Sequence, residues 1–199
     1  MSKRTSLVAA LLLIVASGVF FSTQAASPSS PRFSRDGKLE FPADYREWIF
    51  LSAGKGMTYG PAANPNGPPL FDNVFVQPGA YHEFLKTGKW PDKSMFALEV
   101  RTAATEGSIN HGGQFQKDLA AVEVEVKDTQ RFAATGGWAY FNFAKAQEAV
   151  APLPNNADCH TCHSQNAAVE HTFVQFYPTL IDIAKRNGTF KDSVNGAAR

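Results

Sequence analysis

The chain has 199 residues, 44% of them hydrophobic, and a formal charge of +1 from 19 basic and 18 acidic side chains. That length can bury the core of one domain, and a balanced charge without a basic stripe excludes a nucleic-acid surface. Beyond the N-terminal segment, no run is long and apolar enough to span a membrane.

Lys3 and Arg4 precede an apolar run over 7–21, and Thr23-Gln24-Ala25 supplies the small residues a signal peptidase needs. This is the pattern of a secretory signal peptide over 1–25, with export to a bacterial periplasm. A membrane anchor is the rival reading, but it wants about 20 apolar residues. Loss of Lys3 and Arg4 would leave a slightly acidic mature chain. Residues 26–38, rich in Ser and Pro at their start, read as a flexible leader. One domain is expected over 39–187, followed by a frayed polar tail over 188–199.

Within the domain, 39–50 starts extended and turns helical after Pro42. Residues 52–69 hold four Gly and four Pro and read as a long loop. A short β-like run covers 73–77. The segment 78–87 reads as a helix, with Tyr81, Phe84 and Leu85 at helical spacing and Gly88 beyond its end. Three strands follow, over 95–102, 119–127 and 138–143, each alternating or aromatic-rich. A short helix is expected over 144–150, and a second over 172–185 that breaks near Pro178. This order gives an α+β class, mainly an antiparallel sheet with flanking helices.

The two cysteines of the chain stand in Cys159-His160-Thr161-Cys162-His163. Cys-x-x-Cys-His is the attachment motif of c-type haem. Each thiol adds to one vinyl group of the macrocycle, and the following histidine reaches the iron. Cys159, Cys162 and His163 are therefore the expected cofactor ligands, with His163 on the metal and one covalent haem per chain. A zinc site would need four ligands. A redox dithiol would sit in a βαβ context, whereas this motif falls in a late loop. A disulfide across two intervening residues is strained. The motif's late position and the alternating strands also exclude a four-helix cytochrome.

Longer stretches carry a resemblance: FPADYREW at 41–48, YHEFLKTGKWPD at 81–92, VEVKDTQRF at 124–132, GWAYFNF at 137–143, Leu153-Pro154, CHTCH, and FVQFYPTL at 173–180. Together they resemble the cytochrome P-460 and cytochrome c-prime-beta family. The resemblance implies a haem pocket built on a β-sheet, a proximal histidine, an open sixth position and a homodimer. Family members of the P-460 branch cross-link a lysine to the haem and oxidise hydroxylamine. Members of the c-prime-beta branch lack that bond and bind nitric oxide or carbon monoxide. The position of the cross-linking lysine falls here on Leu98, which has no nitrogen; Lys93 lies in the preceding turn. The resemblance thus favours a small-ligand binder over a hydroxylamine or nitric oxide oxidoreductase, and it names no redox partner.

If Leu98 faces the haem, period-two geometry puts Phe96 and Val100 beside it. Phe96 is a candidate steric cap over the iron, with Phe75 or Phe71 as a second, although each also reads as an ordinary core aromatic. Such a face offers no lone pair to a bound ligand. Met57 is the rival sixth ligand, as in electron carriers. His82, His111, His160 and His171 read as solvated or structural. Arg46 and Arg101 could pair with haem propionates, but exposed ion pairing is the simpler reading for both. Glu123 and Glu125 alternate with Val122, Val124 and Val126 and read as a solvated outer face. Glu99 faces away from Leu98.

Overall fold

The computed structural model describes residues 30–57, 67–155 and 157–195. The signal peptide expected over 1–25 lies outside the described residues. A five-stranded antiparallel sheet runs in sequence order: β1 (Ile49–Lys55), β2 (Leu70–Val76), β3 (Met95–Ala104), β4 (Phe115–Lys127) and β5 (Trp138–Ala144). Three helices flank it: α1 (Pro78–Thr87), α2 (Asp158–Asn166) and α3 (Ile181–Arg186). The architecture is the expected α+β arrangement.

Both faces of the sheet are buried. On one face, Val76, Phe96 and Trp138 pack with Ala80 and Phe84 of α1, Trp90, and Leu180 and Ala184 at α3. On the other, Met95, Ala97, Val122, Val124 and Val126 pack with Phe141, Phe143 and the incoming segment of Leu39, Tyr45 and Trp48. Strand alternation therefore separates two interiors here, and not an interior from solvent.

Helix α1 starts at Pro78 and stops at Gly88, which takes a left-handed conformation. A Cβ at Gly88 would lie 2.7 Å from Asn187 Cβ, so glycine also permits close approach of the segment after α3. Thr189 Oγ1 closes that contact by donating to the Gly88 carbonyl at 2.7 Å. Trp90 joins the layers: its ring lies 4.0 Å from that of Phe84, and its Nε1 donates to Thr172 Oγ1 at 2.7 Å.

Several segments differ from the sequence expectation. Residues 45–47 form one turn of 3-10 helix, and strand β1 begins at Ile49, within the segment expected to turn helical, and runs to Lys55 inside what the Gly and Pro content marked as loop. Residues 144–150 form no helix; Val150 instead bridges Leu39. The segment 172–185 splits into a 3-10 turn, Val174–Phe176, and α3. Within 30–38, Phe33 bridges Leu39 and packs against Phe132 and Phe141. Beyond residue 188, Phe190 and Val194 pack against the α1–α3 core, and 192–195 form a 3-10 helix.

Candidate haem site

Cys159, Cys162 and His163 lie on helix α2, not in a loop. Three-residue spacing puts both thiols on one side of the helix. The thiols are not joined to each other. With His163 they open into a cavity of about 930 Å³. This is near the top of the ~300–1,000 Å³ range of cofactor pockets.

The sheet supplies the facing wall. Its register places Val74, Leu98 and Glu123 side by side across β2, β3 and β4. The adjoining row runs Val76, Phe96, Glu125 and Tyr140. Tyr140 holds α2 against the sheet: its ring centroid is 4.6 Å from that of His163 and 4.7 Å from that of His160. Phe173 covers another side of His163 at 4.4 Å.

The orientation of His163 is fixed. Its Nδ1 is 2.7 Å from the His171 carbonyl oxygen, an acceptor, and so carries the proton. Glu125 Oε2 stands 3.1 Å from the same Nδ1. Nε2 is the nitrogen left for a metal. Burial works against a charged His163, but the Glu125 carboxylate and the His171 carbonyl outweigh it and raise its affinity for a proton. Two free thiols, one oriented imidazole and a cavity of this size fit a c-type haem. The bound group would supply a redox-active, Lewis-acidic iron that can take a small ligand.

The expected site residues divide. Leu98 and Phe96 line the cavity; Val100 shares their strand face but lies outside the lining. Phe96 is 2% exposed and meets Trp90 edge-on at 4.7 Å. It shares a row with Glu125 and Tyr140, the residues against His163, whereas Leu98 lies two residues farther along β3. Phe75 packs on Tyr45 and Phe50 on the other face of the sheet. Phe71 pairs with Arg101 at a position of that same face, and neither phenylalanine lines the cavity.

Glu123 and Glu125 correct the solvated-face reading. Both line the cavity, with Asp72 of β2. Valines on the alternate positions suggested that the glutamates were outside, but those valines fill the second core. Burial raises the pKa of Glu123, and the nearby Asp72 raises it further. The wall is therefore not without lone pairs. No sequence signal separated a carboxylate facing a cavity from one facing water; only the burial of both sheet faces does so.

Met57 lines the cavity beside Gly54. His82 and His111 are exposed and away from it. His160 is buried with Nε2 unpartnered among the described residues, and His171 stacks on Trp138 at 5.9 Å. Arg46 and Arg101 lie on the opposite sheet face, where they bind Glu99 at 2.5 and 2.7 Å. Neither stands where a propionate of a haem in this cavity could meet it. Lys93 is held at its turn by Asp92 and Asp128.

The family model described as Cytochrome P460 matches residues 42–174. The chain belongs to the cytochrome P460 family. It is accordingly a haem- and iron-binding cytochrome. A search of curated proteins finds no match.

Proposed function

We propose that the chain is a periplasmic, monohaem c-type cytochrome that binds nitric oxide or a related small ligand at a five-coordinate iron. Thioethers to Cys159 and Cys162 hold one haem, and His163 ligates the iron through Nε2. The observation that carries this reading is the joint opening of both thiols and His163 into one cavity whose facing wall centres on Leu98. Leucine has neither a lone pair for iron nor a nitrogen for a cross-link. The N-terminal pattern supports export, and the family resemblance supports a homodimer.

Glu123 favours a second reading, oxidation of hydroxylamine or nitric oxide. A half-buried carboxylate beside Leu98 can accept protons from a substrate on the iron. Leu98 weighs against it, because the lysine link of the oxidising branch is missing. Met57 keeps an electron-transfer reading testable, since it lines the same cavity.

Intact mass and acid-acetone extraction test the attachment. The mass should equal the chain from about Ala26 plus one haem, and the haem should stay with the protein. Cys159→Ala with Cys162→Ala should abolish covalent haem. A haem extracted from wild-type protein would contradict the assignment. Hydroxylamine turnover with an artificial acceptor should be slow or absent; rapid turnover would favour the second reading.

A further inference from the structure

The haem cavity has a one-sided charge. Among the described residues, Asp72, Glu123, Glu125 and Asp158 line it, and no lysine or arginine does. The segment 58–66, outside the described residues, also contains no charged side chain. Arg46, of the 45–47 turn, and Arg101, of β3, are held at the other face of the sheet by Glu99. Lys127 is likewise committed, to Glu170 and the Trp90 carbonyl.

Asp158 is exposed, Asp72 and Glu123 are half-buried, and Glu125 is buried. Glu125 is 9% exposed, and its Oε2 has no hydrogen-bond partner among the described residues. Glu123 receives only a 3.3 Å bond from Asn142 among the side-chain hydrogen bonds of the described residues. Asp72 sits one strand beyond Leu98, at the position facing Val100 and Gly54. Asp72 and Glu123 thus flank Leu98, on the part of the wall farther along β3 from the row that touches His163.

We propose that Asp72 and Glu123 make the ligand side of this cavity anion-excluding, so that the iron admits neutral or cationic small ligands and discriminates against anions. This inference rests on the proposed open position at the iron and adds the charge class of what may enter. Repulsion between like charges in a partly buried cavity is screened less than at a surface, so a second negative charge meets a penalty that a neutral molecule does not. Charge, and not shape alone, becomes the filter.

The test uses haem-loaded protein at neutral pH. Azide is titrated into the ferric form and carbon monoxide into the ferrous form, in wild type, Asp72→Asn, Glu123→Gln and the double variant. The ratio of azide to carbon monoxide affinity should rise about tenfold for each carboxylate removed, the scale of one nearby charge in a partly buried site. In wild type, azide affinity should also rise with sodium chloride, which screens the repulsion. An unchanged ratio in the double variant, with salt-independent azide binding in wild type, would overturn the proposal. Carbon monoxide that fails to bind wild type at all would overturn the open-position reading and this inference with it.

Discussion

Glu125 Oε2 stands 3.1 Å from Nδ1 of His163, although the proton on that nitrogen is directed to the His171 carbonyl 2.7 Å away. The contact lies on the side of the imidazole opposite Nε2, so a metal at Nε2 does not displace it. Carboxylates and carbonyls behind a ligating histidine orient the ring and increase its basicity. Here one carboxylate adds its charge without being the main proton acceptor.

That charge should stabilise the ferric over the ferrous state. Glu125→Gln keeps the side-chain volume and removes the charge. The reduction potential should rise by about 60 mV or more, the equivalent of a tenfold change in a one-electron equilibrium. A spectroelectrochemical titration measures it. A potential that stays put or falls would show that Glu125 has no influence on the proximal ligand.

Phe96 and Leu98 should separate cleanly. Phe96→Ala opens a hole between Trp90 and Trp138 and should cost about 3–5 kcal/mol of stability, read by denaturant unfolding. It should change carbon monoxide association little, because Phe96 packs on Trp90 in the row that holds His163 and not in the row of Leu98. Leu98→Ala should instead speed association, because it enlarges the wall beside the ligand position. The opposite pattern in stopped-flow traces would restore Phe96 as the cap.

The contrast between these two residues shows what the sequence could reveal. Period-two alternation placed β3 and β4, aromatic enrichment placed β5, and helical spacing with Gly88 placed α1, because those patterns are local. β1 was hidden by the Gly- and Pro-rich stretch that follows it. The orientation of β4 was hidden for a different reason. Alternation says that Val124 and Glu125 face opposite ways, but not which way faces water. With both sheet faces covered, the apolar side fills one core and the acidic side faces the cavity. The motif at Cys159–His163 was legible outright, because its spacing is chemical. The carboxylate behind His163 and the pair flanking Leu98 depend on register between strands distant in sequence.

The second face of the sheet should govern acid stability. Glu99 is 2% exposed and accepts hydrogen bonds from Tyr45, Arg46 and Arg101. Burial alone would raise its pKa, but the Tyr45 bond and the two arginines reverse this and hold it below its ordinary value of 4.5. A depressed folded-state pKa contributes stability above the unfolded value, and that contribution is lost as pH falls through the folded one. Wild type should therefore lose stability progressively below about pH 5. Glu99→Gln should be less stable at neutral pH by about 3 kcal/mol, a buried ion pair having been broken. It should also show a shallower acid slope. Equal slopes in urea unfolding from pH 6 to pH 3 would remove Glu99 from this role.

The occupancy of the sixth iron position decides among ligand binding, catalysis and electron transfer. Electronic absorption and resonance Raman spectra of the ferrous protein, before and after nitric oxide, measure it directly. A five-coordinate, high-spin ferrous iron that converts on addition of nitric oxide is the expected result. Iron that is low-spin in both oxidation states, and becomes high-spin in Met57→Ala, would contradict the account and assign the sixth position to Met57.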